Sequence, residues 1–181
     1  MKKYPTLPIL FALLFTGCPQ DAPDADAVAI QFELTNGNPS FADFLDVPWP
    51  SDYHRQDGNP NTVDLRAFPN PTSSSLLDVY LETFQLHGEG YSGIGSQYFL
   101  VPGGADASSM PESPEASLAK DASVFLVEVS NPDQRIPVQI KVFDQEWAFT
   151  QKGTVAVRPV LGLHTLKQTA LVVTNKVRTT D

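Results

Sequence analysis

The chain has 181 residues and a formal net charge of −9 at pH 7, with 21 acidic and 12 basic side chains. This charge argues against a surface that binds nucleic acid or anionic lipid head groups through cations. The length suits one domain with a hydrophobic core, and the 16 prolines favour short strands and loops over long helices. A single cysteine excludes an intrachain disulfide.

The first residues have the layout of a secretory signal peptide. Lys2 and Lys3 give a positive start, and residues 7–15 form an apolar core. This core is far shorter than the ~20 residues that a membrane-spanning helix needs. We therefore predict that residues 1–17 are a signal peptide and that the protein is exported.

The end of this segment predicts lipid modification. Residues 14–18 resemble a bacterial lipobox, although Phe15 stands where Leu, Val or Ile is usual. We predict cleavage between Gly17 and Cys18, and acylation of the Cys18 thiol. The alternative is a secreted protein that is cleaved elsewhere and keeps an incidental cysteine.

An acylated Cys18 would make the membrane the first partner of the chain, since two or more acyl chains give stable anchoring. Pro19, not Asp, follows the cysteine. By the sorting rule of the enteric lipoproteins that the chain resembles, this implies the outer membrane of a Gram-negative host, with a periplasmic or surface-facing domain. Residues 18–27 hold three Asp and no large apolar side chain, which predicts a solvated acidic tether.

The folded part is expected to begin at residue 28. Residues 28–34 alternate apolar and polar side chains, which predicts a half-buried strand. Residues 41–71 are irregular and rich in Pro, Asp and Asn, and a loop of this length either packs its own side chains or carries function. We predict a binding loop with Trp49, Asp52 and Tyr53 as its contact residues. The alternative is that its aromatic side chains only fix the loop to the core.

One helix is predicted, over residues 73–86. Three consecutive serines at 73–75 can cap its start, and Gly88 can end it. Apolar residues recur at intervals of three and four, which predicts one face that packs on the domain. The residues on that face are Leu77, Tyr80, Leu81 and Phe84.

The remaining chain alternates short apolar segments with turns. We predict strands over residues 97–101, 123–129, 136–143, 154–160 and 169–174, which are rich in Val, Ile and aromatic residues. No helical pattern separates them, so parallel βαβ units are disfavoured. The fold class predicted is mainly β, an antiparallel immunoglobulin-like β-sandwich with one helix near residues 73–86.

No complete catalytic or metal-binding constellation is visible. Around Ser92 the glycines are out of register for a hydrolase nucleophile elbow, and a helix precedes the serine where a strand is needed. His54, His87 and His164 have no short metal-ligand spacing, so surface or loop positions are expected for them. We expect no catalytic residue, no metal and no cofactor within this chain.

Several segments in order resemble the N-terminal domain of bacterial extracellular lipase-like lipoproteins. Those proteins have a Pro-Phe-Pro-Asn-Asp segment, an Asp-Gly-Phe-Ser segment and a final Val-rich strand, and the resemblance covers roughly residues 40–178. Trp49 and Ser51 replace the usual Phe and Asn of the first segment. In that family the hydrolase domain lies further along the chain, and no catalytic residue of the family has a matching position here. The matching segments are 47–52, 64–69, 90–92, 123–129, 157–159 and 166–174.

Three hypotheses of function follow. In the first, residues 28–181 are a non-catalytic accessory domain of a bacterial cell-envelope lipoprotein and the N-terminal part of a larger protein. In the second, the parent is a secreted or surface esterase or lipase whose hydrolase domain lies downstream. In the third, the chain is a stand-alone lipoprotein that binds a ligand or glycan through residues 41–71. We expect no nucleic-acid partner for any of them.

Overall fold

The computed structural model describes residues 29–35, 38–39, 43–56 and 59–180. The predicted signal peptide, the Gly17–Cys18 cleavage site, Cys18 itself and the acidic tether lie outside the described residues. Within the described part, no helix has the length and apolar character needed to cross a membrane.

The described chain is mainly β, as predicted. Its regular elements are ten strands and one α-helix, in this order: β1 Leu34–Thr35, β2 Asn38–Pro39, β3 Arg55–Gln56, β4 Asn59–Val63, α1 Ser75–His87, β5 Gln97–Leu100, β6 Val124–Glu128, β7 Asn131–Ile136, β8 Val138–Val142, β9 Thr154–Pro159 and β10 Thr169–Val173.

Two three-stranded antiparallel sheets form the main body. One has the strand order β10-β6-β7, and Leu126 of β6 pairs with Leu171 and Ile136 on its two sides. The other has the order β5-β9-β8, and Val155 of β9 pairs with Phe99 and Val142. Two short hairpins, β1-β2 and β3-β4, are separate from these sheets.

Both three-stranded sheets contribute to one hydrophobic core. The alternation of side chains along β5, β8 and β9 turns every second residue toward it. Almost all of the core comes from residues 97–177, with Ile30 packed against it from the N-terminal side. The buried members are Phe99, Val101, Ala105, Met110, Val124, Leu126, Val138, Val155, Val157 and Val177.

The structure corrects two of the predicted strands. Residues 136–143 were predicted as one strand, but Pro137 separates β7 from β8. β7 was missed because it contains Asn-Pro-Asp, which favours a turn. It lies at the edge of its sheet, where a proline removes no ladder hydrogen bond.

The predicted strand at 28–34 is largely wrong. Val28 lies outside the described residues, and 29–33 belong to no strand. Isolated backbone hydrogen bonds hold this segment instead, from Gln31 N–H to the Leu100 carbonyl at 2.9 Å and from Glu33 N–H to the Asp46 carbonyl at 2.6 Å. The alternating pattern therefore marks an extended segment that has no continuous partner strand.

Helix α1 has the predicted position and caps. Ser74 is the N-cap, and its hydroxyl accepts a hydrogen bond from Leu77 N–H at 3.4 Å. The chain leaves the helix at Gly88, whose N–H donates to the Phe84 carbonyl. The helix packs mainly on β4, and a hydrogen bond from Leu65 N–H to Gln85 Oε1 (2.8 Å) fixes it to the preceding loop.

Candidate functional site

Residues 44–91 include an aromatic cluster that is separate from the main core. His54 lies at its centre, with the Trp49 ring at 4.9 Å and the Phe44 ring at 5.8 Å, centroid to centroid. Phe68 packs on Phe44 at 5.0 Å, and Tyr91 packs on Trp49 at 5.4 Å. We call these five residues the His54 cluster. The segment predicted as an irregular loop therefore has its own small core.

His54 is buried, with 1% of its surface exposed, where a surface or loop position was expected. It ends a short 3-10 turn over Asp52–His54, and its Nδ1 lies 3.2 Å from the Ser51 hydroxyl oxygen. Burial lowers the pKa of His54, although a hydrogen bond with the Phe44 carbonyl and the nearby Asp64 carboxylate act in the opposite direction. The imidazole is therefore held neutral at pH 7.

Asp64 is the buried acid beside this cluster, with 3% of its surface exposed. Burial by itself would raise its pKa, but hydrogen bonds and the charge of Arg66 outweigh that effect and lower it. Arg66 Nε donates to both carboxylate oxygens, at 2.9 Å and 2.8 Å, and its Nη2 also contacts Oδ2. The Asp64 carboxylate is thus ionised at pH 7, and the Arg66 guanidinium, two residues along the chain, balances its charge.

Ser51, His54 and Asp64 are the residue types of a hydrolase triad, and in this structure each of them is engaged in packing or in local hydrogen bonds. The His54 imidazole is 1% exposed and packs against the Phe44 and Trp49 rings, so it does not face solvent in this structure. Asp64 is occupied by Arg66, and the Ser51 carbonyl accepts a hydrogen bond from the Tyr91 hydroxyl at 2.6 Å. Segments 47–52, 64–69 and 90–92 meet here through Trp49, Phe68 and Tyr91, which pack in the same cluster.

The three predicted contact residues of the loop have different roles. Trp49 is half-buried in the His54 cluster, and its backbone N–H donates to the Tyr98 carbonyl of β5 at 2.8 Å. Asp52 is exposed and forms an ion pair with Arg55 at 2.7 Å. Tyr53 is 41% exposed, with its ring edge against Phe32 at 5.4 Å. Trp49 thus packs as an anchor, and only Asp52 and Tyr53 face solvent.

The other residues considered for chemistry do not come together. Ser92 is exposed, and its hydroxyl accepts a local hydrogen bond from Ile94 N–H at 3.3 Å. His87 is exposed at the end of α1, and His164 is exposed with Nδ1 3.5 Å from a Glu128 carboxylate oxygen. Among the described residues, no group of three or more His, Cys, Asp or Glu could hold a metal ion.

The most unusual surface of the described domain is one face of α1. No residue of this helix is buried, and only the Leu77, Leu81 and Gln85 side chains turn toward the domain. The predicted packing of Tyr80 and Phe84 is wrong, since they face solvent at 55% and 62% exposure. Sequence periodicity identified an apolar helix but could not tell which of its apolar residues would be covered. The exposed apolar residues are Leu76, Val79, Tyr80, Phe84 and Leu86.

This surface, which we call the α1 apolar face, runs along the helix and includes one polar residue, Thr83, between Val79 and Leu86. Leu76, Tyr80 and Phe84 follow each other at intervals of four, and Val79 lies beside them. Large apolar side chains that are exposed side by side are typical of an interaction surface. The acidic residues Asp78 and Glu82 lie outside it, on another side of the helix.

Comparison with known proteins gives no family assignment. No protein-family profile, no curated protein and no solved structure matches this chain.

Proposed function

We propose that this chain is a lipid-anchored, non-catalytic accessory domain of a bacterial cell-envelope lipoprotein, and that it binds a partner domain through the α1 apolar face. In this proposal Cys18 carries the lipid, residues 19–27 space the domain from the membrane, and the two sheets pack as an immunoglobulin-like sandwich. The resemblance to lipase-like lipoproteins makes a downstream hydrolase domain the partner that we propose.

The exposed apolar face of α1 is the observation that carries this proposal. A 13-residue helix is marginal by itself and normally depends on packing along one side. Here only Leu77, Leu81 and Gln85 face the domain, whereas five large apolar side chains point outward and are 55% to 68% exposed. Covering each of them would contribute about 1–2 kcal/mol, because full burial of such a side chain is worth about 1.5–3 kcal/mol.

A labelling experiment on the natural gene product tests the docking. Cys18 is the only cysteine of these 181 residues, so a Cys18→Ala background in which any cysteine further along the natural product is also replaced by Ser allows one thiol to be placed at a chosen position. Phe84→Cys places it within the α1 apolar face, and the matched control Glu82→Cys places it on the polar side of the same helix. We expect a maleimide to label position 82 rapidly and position 84 at least about tenfold more slowly. Equal labelling rates in the native product would contradict the docking.

The anchor is tested separately. Replacing Cys18 by Ala removes the acyl acceptor, so incorporation of labelled fatty acid and recovery in the membrane fraction should both be lost. Asp26→Asn, within the predicted tether, leaves the lipobox intact and should retain both. A Cys18→Ala protein that still incorporates fatty acid would refute the predicted site.

A further inference from the structure

A groove on the outer face of the β5-β9-β8 sheet is independent of the docking proposed above. Its volume is about 600 Å³. The side chains that matter for what it could bind are two cations, two aromatic rings, an amide and one carboxylate. They are Lys141, Arg158, Tyr98, Phe143, Gln139 and Glu112.

The register of the sheet explains the shape of the groove. Ala156 of β9 lies between Tyr98 of β5 and Lys141 of β8. Two residues further along β9, Arg158 pairs with Gln139 of β8. Side chains two residues apart on a strand share one face, so all five point away from the core. The methyl group of Ala156 forms a low floor between larger walls.

Neither cation of the groove has an acidic partner within the part of the chain that the structure describes. Lys141 and Arg158 are both exposed, and neither forms an ion pair with a carboxylate of any described residue. The Lys141 ammonium lies over the Phe143 ring at 4.7 Å. Lys141 of β8 and Arg158 of β9 lie diagonally opposite each other on adjacent strands, within reach of one ligand group. In a chain of net charge −9, two adjacent unpaired cations create a local attraction for an anion.

We propose that this groove binds a saccharide that carries carboxylates, such as an oligomer of uronic acids. The Arg158 guanidinium can hold a carboxylate through two parallel hydrogen bonds, and Lys141 adds a second positive charge. The Tyr98 and Phe143 rings offer flat apolar surfaces to the C–H faces of sugar rings. The Gln139 amide can donate to and accept from sugar hydroxyl groups.

The position of the groove favours a saccharide over an acidic peptide. Peptides that bind sheets commonly add to an exposed edge through main-chain hydrogen bonds. The floor here is β9, the central strand, whose backbone is already paired with β5 and β8. Recognition in the groove must therefore come from side chains, which suits a ligand rich in hydroxyl and carboxylate groups.

Calorimetric titration with trigalacturonic acid tests the proposal. We expect saturable binding that weakens as salt is added, since charge contributes to it. Arg158→Gln should weaken binding by about tenfold or more, because it removes charge-assisted hydrogen bonds. Glu112→Gln should tighten binding, because it removes the one carboxylate of the groove. Lys176→Gln removes an exposed cation that is not part of the groove and should leave the affinity unchanged.

Two further ligands define the class. Neutral galactotriose should bind more weakly than the uronic acid trimer, because it has no carboxylates. A pentaglutamate peptide should also bind more weakly than the uronic acid trimer, because it offers no sugar rings to Tyr98 and Phe143. Arg158 is exposed, so its substitution should leave the circular dichroism spectrum unchanged. The proposal is overturned if the uronic acid trimer shows no saturable binding, or if galactotriose or pentaglutamate binds as tightly as the trimer or more tightly. It is also overturned if Arg158→Gln and Lys176→Gln lose equal affinity for the trimer.

Discussion

Acidification between pH 7 and pH 5 should destabilise this protein through His54. The imidazole is 1% exposed, surrounded by aromatic rings, and in contact with the Ser51 hydroxyl. Its pKa in the folded protein is lowered by burial. In the unfolded chain it returns to about 6.5, so below that pH the unfolded state binds more protons than the folded state. Stability is therefore present above pH 6.5 and is lost as the pH falls.

The size of the loss follows from proton linkage. Each pH unit below the unfolded pKa costs about 1.4 kcal/mol for one proton, until the pH reaches the lowered pKa of the folded state. Between pH 7 and pH 5 the free energy of unfolding should therefore fall, and about 2 kcal/mol is the upper limit that one histidine can contribute over this range. Asp64 does not contribute in this window. Its folded pKa is lowered, so its contribution is lost only as the pH falls below the ordinary value of 3.8.

Urea denaturation at pH 7, 6 and 5 measures this effect. Trp49 packs on His54, so its fluorescence reports on the relevant part of the fold. His54→Gln should start from a lower stability at pH 7 and lose little more on acidification. His164→Gln, which changes an exposed histidine, should keep the wild-type slope. Equal pH dependence in the wild type and His54→Gln would refute the assignment of the loss to His54.

Two other pairs of variants test the packing, each by urea denaturation. Gly153→Ala should cost at least about 2 kcal/mol, because φ is +89° and a Cβ would lie 2.2 Å from the Val101 carbonyl oxygen. Gly90→Ala has a positive φ but nothing within 4 Å, so only about 1–2 kcal/mol is expected, and equal costs would contradict the role of the close contact. Leu126→Ala should cost about 2–5 kcal/mol, since Leu126 is fully buried, whereas the fully exposed Leu166 should tolerate alanine within about 0.5 kcal/mol. If Leu166→Ala lost as much free energy of unfolding as Leu126→Ala, the position of the core described here would be wrong.

Local sequence signals predicted the strands with strong β patterns and the helix. β5, β6, β9 and β10 begin and end within one or two residues of the predicted limits, because runs of β-branched residues lie between clear turn signals. Ser74 and Gly88 fixed the ends of α1 because helix caps depend on adjacent residues. These features require no knowledge of distant parts of the chain.

Features that depend on distant contacts were not predictable. His54 is buried because Phe44, Phe68 and Tyr91 come from separate segments to cover it or its neighbours. The outward apolar face of α1 could not be distinguished from a packing face, because both have the same periodicity. The groove arises from pairing of strands up to sixty residues apart, as between Tyr98 and Ala156.

The intact mass and N-terminal peptide of the natural gene product, purified from the membranes of its own host, test the proposed function most directly. We predict a mature N-terminus at Cys18 that carries a diacylglyceryl group, on a polypeptide much longer than residues 18–181. An unmodified Cys18, or a mature product that ends at Asp181, would contradict the proposal of a lipid-anchored accessory domain within a larger lipoprotein.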